Sequence, residues 1–365
     1  MNASIPVENG NPLRAIQGFL QKLLELAVVE ALLVPMRTPD GTVTTALVVD
    51  PGLLEAADPL APVLPVNSAT LAGKLSVRTP RVKIGVVARA CELRALVELV
   101  KLQQACLEDM LLIAVDCAGT FSLPEFIKNG NGDGVAIFQA IQADPDAAPP
   151  DRLRQACKIC EQPVYHGAQI SIELFGCDLQ QEVHISLPDG MAERLGLAAA
   201  APGGRAEFLD KLVAAREARR AVEFAAIRAR LEGERGLPGV FAACIRCHNC
   251  MTVCPICYCK TCVFKSQVFD HEPLQFVNWA RQKGACRMPA DTQLFHLTRL
   301  NHMVLSCVGC GMCSEACPAE LPVGLVFRAI GQRVQAVFEY LPGRSLEEPL
   351  PLVTFKADEW TEVGE

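Results

Sequence analysis

Cys244-Ile-Arg-Cys247-His-Asn-Cys250-Met-Thr-Val-Cys254-Pro255 and Cys307-Val-Gly-Cys310-Gly-Met-Cys313-Ser-Glu-Ala-Cys317-Pro318 are two copies of one pattern, and their reading decides the fold of the second half of the chain. Each copy sets three thiols at two-residue steps, a fourth after three residues, then a proline. Short steps let three thiolates of one tight loop face a single [4Fe-4S] cluster, while the fourth thiolate ligates the other cluster. The spacing therefore assigns Cys244, Cys247 and Cys250 with Cys317 to one cluster, and Cys307, Cys310 and Cys313 with Cys254 to a second. A zinc ribbon or a disulfide framework explains neither the repeated fourfold spacing nor both prolines.

The composition narrows what such clusters can serve. At 365 residues, half of them apolar, the chain is expected to hold two or three domains with substantial cores. Residues 1–10 carry no secretory pattern and the clusters need reduced thiolates, so the eighteen cysteines point to a cytoplasmic location rather than to disulfides. The apolar runs at 27–34 and 46–49 stop well short of the roughly 20 residues of a spanning helix, and no transmembrane segment is expected. A net charge of -7 argues against nucleic acid. Neither G-x-S-x-G nor H-E-x-x-H occurs, so the chemistry is expected from cofactors, with proteins and a redox carrier as partners.

Ahead of the runs, Ile16, Phe19, Leu20, Leu23, Leu24 and Leu26 fall at helical spacing, followed by a short apolar run at 31–35, a Pro39-Asp40-Gly41 turn and a strand at 44–49. A strand at 83–88, a helix at 91–104 and a strand at 111–115 predict an α/β domain with parallel pairing. Segments 135–143 and 168–175 add strand or helix between the loops 129–134 and 147–150. The first domain is expected to span 1–197. Residues 198–235 read as a small-residue linker and a charged, alanine-rich helix, a solvated spacer. The cluster domain is expected over 236–340, and a Pro- and Glu-rich tail at 341–365 to reach over another subunit. The stretch 255–306 between the runs is longer than in a compact bacterial-type ferredoxin and is helical in period at Leu294, Phe295, Leu297, Leu300, Met303, Val304 and Leu305. A further helix is expected over 321–340. This arrangement resembles the α-helical ferredoxin domain of the iron–sulfur subunits of succinate dehydrogenase and heterodisulfide reductase.

Cys91, Cys117 and the pair Cys157 and Cys160 stand at strand ends and in a loop of the first domain. Turns at the carboxyl ends of parallel strands converge on one crevice, where four thiolates could meet; the alternative is that they are small buried hydrophobes. The segments around them, 83–96, 113–119 and 157–172, resemble the coenzyme F-420 hydrogenase and formate dehydrogenase beta-subunit family over about residues 10–195. The resemblance implies a third cluster on Cys91, Cys117, Cys157 and Cys160 beside an FAD. The fold class it implies is an α/β N-terminal flavin and cluster domain followed by an α-helical ferredoxin domain with two [4Fe-4S] clusters. By family position, Asn67, Ser68, Thr70 and Lys74 are the flavin contacts, with Gly119 and Thr120 in the same crevice. Ala88-Arg89-Ala90 departs from the family's Gly-Thr-Pro turn, and Gln169 replaces an aspartate, which leaves the family's deazaflavin substrate open for this chain. No G-x-G-x-x-G fingerprint is present, and Gly130-x-Gly132-x-Gly134 reads as a turn.

Cys106 and Cys177 read as buried hydrophobes. Cys257, Cys259 and Cys262, with Cys286, are a candidate for a further metal site, either a cluster or zinc, or else a wall of the neighbouring cluster. His248 is expected to tune a cluster by a hydrogen bond, while His296 and His302 read as packing or surface groups. Together these features describe the beta subunit of an oxidoreductase complex, relaying electrons between a catalytic dehydrogenase or hydrogenase subunit and a carrier (deazaflavin, nicotinamide or ferredoxin). The rival is a non-catalytic iron–sulfur conduit to a heterodisulfide-reductase-like subunit; a free-standing flavin reductase lacks a nicotinamide fingerprint.

Overall fold

The computed structural model describes residues 2–78, 82–128, 132–145, 151–200, 203–285 and 291–352. Eight strands form one sheet: β1 (Asn2–Pro6), β2 (Ala31–Arg37), β3 (Val43–Val48), β4 (Ile84–Arg89), β5 (Met110–Val115), β6 (Ile170–Glu173), β7 (Glu182–Ser186) and β8 (Ala198–Ala199), in the order β3-β2-β4-β5-β6-β7-β1-β8. The centre, β2-β4-β5-β6, is parallel as expected. Both flanks are antiparallel, which the strand–helix–strand pattern did not foretell. Every residue of β4 and β5 is buried, because helices cover both faces of a parallel sheet. The helix Pro12–Glu25 lays Ile16, Phe19, Leu20 and Leu23 on one face, against Leu32, Val34, Val87 and Ile113. The helix Ala90–Lys101 lays Leu93, Leu96 and Val97 on the other, with Leu33, Val86 and Leu112. One-residue alternation thus splits each strand between two cores.

The second half is helical. A third core gathers Phe224, Ile227, Phe241, Met251, Phe295, Val326 and Phe327 around the cysteine runs and takes Ile159 from the sheet domain. The helix expected around 294–305 is Asp291–Met303, and that expected over 321–340 is Val323–Val337.

Two expectations need correction. The charged helix, Arg205–Glu232, is not a solvated spacer: it buries Leu212, Arg216, Phe224 and Ile227. Arg205 meets Asp116 at 2.5 Å, and Arg216 donates to the carbonyls of Ala118 and Cys160, so its cationic side chains are structural contacts with the sheet domain. The described part of the tail does not leave the chain. Tyr340 donates to Glu98 at 2.5 Å, the Gly343 N–H to the same carboxylate at 2.7 Å, and Arg94 to the Pro342 carbonyl at 2.8 Å. The rest of the tail, from 353, lies outside the described residues.

Candidate metal centres

The thiols of the first cysteine run bend around two left-handed residues, Arg246 (φ 55°) and His248 (φ 60°). This brings Cys244, Cys247 and Cys250 to one cavity with Cys317 of the second run. The helix Asp291–Met303 approaches from above. His296 Nε2 lies 3.3 Å from Cys244 Sγ with its ring stacked on Phe241, and Arg299 Nη1 donates to Cys250 Sγ at 3.1 Å. His296 therefore is no mere packing group, and it was missed because nothing local to His296 in sequence marks it. Burial holds its imidazole at about 4, so it stays neutral and offers either a donor or an acceptor nitrogen. His248, the expected tuner, stacks on Phe295 instead.

The second run repeats the turn with Gly309 (φ 75°) and Gly311 (φ 74°) at the matching positions. Cys307, Cys310 and Cys313 line a second cavity with Cys254 of the first run, and Arg299 and Arg328 line it as well. The exchange of fourth cysteines between runs, expected from spacing, is thus the arrangement of the side chains around both cavities.

A third cavity is lined by Cys91, Cys117, Cys157 and Cys160. Cys91 opens the helix Ala90–Lys101 just beyond β4, Cys117 follows β5, Cys157 lies in the short helix Gln155–Lys158, and Cys160 comes just after it. Cys310 and Ala156 line both this cavity and the second, so the two share a wall. Burial raises most of these thiols; Cys117, Cys250 and Cys310 each reach about 11. Cys157 goes the other way: burial works against its thiolate, but Arg154 and a contact with Thr120 Oγ1 at 3.4 Å outweigh it. Buried thiols that resist ionising are deprotonated once a metal binds them. Among the described residues no three His, Cys, Asp or Glu side chains converge on a single-ion position. The donor set, four thiols spread around each cavity wall, fits a cluster that takes one thiolate per iron rather than a lone ion.

The six residues expected at a flavin fall in different surroundings. Asn67, Ser68 and Thr120 are buried: Asn67 caps the helix Ser68–Arg78 through the Ala69 N–H, and the Ser68 N–H donates to Glu92 at 2.9 Å. Thr70 is half-buried and Lys74 exposed. Gly119 and Thr120 line the third cavity among its cysteines. Arg89 is buried and spends its guanidinium on the carbonyls of Val63 and Ala61, so it is not an open phosphate anchor. A cleft of ≈ 840 Å³ opens elsewhere, lined by His166, Glu173, His184, Arg205 and, shared with the third cavity, Gln162 and Pro163. Cys106 is exposed and beyond the helix end, contrary to expectation; Cys177 is buried. Cys257, Cys259 and Cys262 follow the first run, and Cys286 and part of the 129–134 loop lie outside the described residues.

No family model matches the chain. An F420-dependent formate dehydrogenase subunit beta from Methanocaldococcus jannaschii is 22% identical over 294 residues, covering 72% of this chain and 74% of that protein. This chain is a relative of F420-dependent formate dehydrogenase beta subunits. An F420-dependent formate dehydrogenase 1 subunit beta from Methanococcus maripaludis is 26% identical over 106 residues, 29% of this chain and 24% of its own length. Sulfhydrogenase 2 subunit beta from Pyrococcus furiosus is 33% identical over 97 residues, 21% of this chain and 28% of its own. These relatives are subunits of oxidoreductases. A chain of the xenon-derivatised F420-reducing [NiFe] hydrogenase complex from Methanosarcina barkeri superposes with a TM-score of 0.45 at 12% identity, covering 65% of this chain and 94% of that one. No helix among the described residues is long and apolar enough to cross a membrane.

Proposed function

We propose that the chain is an iron–sulfur electron-transfer subunit of a formate dehydrogenase- or hydrogenase-type oxidoreductase, with [4Fe-4S] clusters held by Cys244, Cys247, Cys250 and Cys317, by Cys307, Cys310, Cys313 and Cys254, and by Cys91, Cys117, Cys157 and Cys160. The observation that carries this reading is the three thiol-lined cavities in series, the first joined to the second by Arg299 and the second to the third by Cys310 and Ala156. Bound there, the clusters supply one-electron carriers. The protein's own part is to order, enclose and charge-balance them. Cys247 and Ile245 are exposed at the first run, which makes that end the docking face for a catalytic subunit. The second cavity lies between the sheet domain and the helical half, and the third abuts the ≈ 840 Å³ cleft through Gln162 and Pro163. Thiols serving as ligands in this number belong in a reducing compartment, hence the cytoplasm. The sheet unit 1–197 and the helical unit 236–340 are then the two halves of the relay.

The six residues expected at FAD fall in different surroundings, and no step is routed through it. The cleft beside Gln162 and Pro163 has the size of a small-molecule site and favours a second reading, in which a flavin or a soluble deazaflavin or nicotinamide carrier is served there. Iron, acid-labile sulfide and flavin analysis of the purified complex decides. Roughly twelve irons per chain without flavin fits a conduit, for instance to a heterodisulfide-reductase-like partner, and the same iron with flavin fits a carrier-reducing subunit. Iron below roughly eight per chain would overturn the relay.

A further inference from the structure

Arg299 is only 3% exposed and, among the described residues, pairs with no carboxylate, whereas several less buried arginines do. Arg205 pairs with Asp116, Arg328 with Glu161, and Arg246 with Asp291. Arg299 turns to the cysteine runs instead. Its Nη1 donates to Cys250 Sγ at 3.1 Å and its Nη2 to the Cys250 carbonyl at 3.0 Å. Its Nε is buried without a partner, and the side chain lines the cavity of Cys254, Cys307, Cys310 and Cys313. Phe295 and Phe327 hold the guanidinium between their rings at 5.5 and 5.1 Å.

We propose that Arg299 is the shared counter-ion of the first two clusters, a single buried cation that raises the reduction potential of both. The inference rests on the cluster reading above. A buried cation without a carboxylate is stabilised by any other anion in reach, and two sets of four thiolates are in reach here. Each electron accepted from a reductant such as dithionite adds one negative charge to a cluster without a proton, and a fixed positive charge beside it favours that state. His296, one turn earlier on the same helix, meets Cys244 as its one thiol contact among the described residues, so its influence stops at the first cluster.

The test is a dithionite redox titration of the full complex, followed by the paramagnetic resonance signals of the reduced clusters, on wild type, Arg299→Met, Arg299→Lys and His296→Gln. With iron and sulfide content unchanged, Arg299→Met is expected to lower the reduced-to-oxidised ratio of both clusters at least tenfold at a fixed poise, a shift of ~59 mV for one electron. Arg299→Lys keeps the charge and should recover part of both shifts, which also serves if the methionine variant fails to fold. His296→Gln should move the first cluster alone. Iron-replete variants at Arg299 in which neither potential or only one moves would overturn the shared role. Wild type without iron–sulfur signals would instead sink the underlying reading, and the inference with it.

Discussion

The two cysteine runs share a backbone but not its composition. Both bend through two left-handed residues, yet the first run places Arg246 and His248 there and the second places Gly309 and Gly311. For a residue with a Cβ that conformation costs about 1–2 kcal/mol, so the first run carries strain that the second avoids. The reason lies outside the runs. A Cβ on Gly311 would overlap that of Ala156, beside Cys157, and a Cβ on Gly309 would come within 2.6 Å of Arg328 Nε. The second run is pressed between the sheet domain and the helix Val323–Val337. The first lies at the edge, with Ile245 67% exposed, and has room for side chains. Glycine is needed where the protein packs on both sides of the loop; strain is acceptable where one side is free.

Gly311→Val breaks the comparison most severely. It combines the left-handed strain of about 1–2 kcal/mol with overpacking against Ala156, worth about 1–3 kcal/mol, and should cost roughly 2–5 kcal/mol in denaturant unfolding. Ala156→Gly in the same chain should return part of the loss by clearing the overlap. An unchanged unfolding midpoint in the single variant would mean that the second run is not confined as described.

Next comes the exchange of fourth ligands. Cys254→Ala should abolish the same resonance signal as Cys310→Ala, and Cys317→Ala the same signal as Cys247→Ala, each removing roughly four irons of roughly twelve. If Cys254→Ala instead reproduces Cys247→Ala, each run holds its own cluster and the pairing across cavities is wrong.

The gathering of three thiols of one run at one cavity was legible from sequence because ligand spacing is local: a two-residue step fixes where the next thiol can go. The central strands β4 and β5 and the helix between them were legible for a similar reason, their apolar runs being long and uninterrupted. The short flanking strands β1 and β7, five residues each with Ser4, Glu182 and His184 among them, carry no comparable signal. The helix Arg205–Glu232 misled because arginines at a solvated surface and arginines clamping two domains look alike in composition. His296 and Arg299 reach Cys244 and Cys250 from about fifty positions away, a distance at which no motif operates. The flavin contacts were transferred by family position, which carries no local signal: Asn67 and Ser68 are buried, while Gly119 and Thr120 line the third cavity.

A smaller effect separates the surroundings of the two runs by pH. Burial alone would raise Glu161, but Arg328 at 2.5 Å and Arg220 at 3.1 Å outweigh it and hold the carboxyl at about 2. Because the folded value lies below the unfolded one, this pair contributes stability above about pH 4.5 and loses it as pH falls toward 2; the whole window amounts to at most about 3 kcal/mol. Glu161→Gln should therefore be less stable than wild type at pH 7, with the gap closing below pH 4.5 in chemical unfolding followed by circular dichroism. A gap that is constant with pH would show that packing, not charge, holds the second run's support.

The smallest change is expected at His248, the first-run counterpart of Gly311. Replacing it by glycine relieves the left-handed strain of about 1–2 kcal/mol. It also removes the ring stacked on Phe295 at 4.6 Å, worth about 0.5–1.5 kcal/mol, and adds freedom to the unfolded chain, about 0.4–1 kcal/mol. These terms nearly cancel, so His248→Gly should lie within about 1 kcal/mol of wild type. Its Nε2 is buried without a hydrogen-bond partner, so no bond is lost with the ring. A loss as large as that of Gly311→Val would mean that the first run is as tightly enclosed as the second, and the contrast between an open entry loop and a packed relay loop would fail.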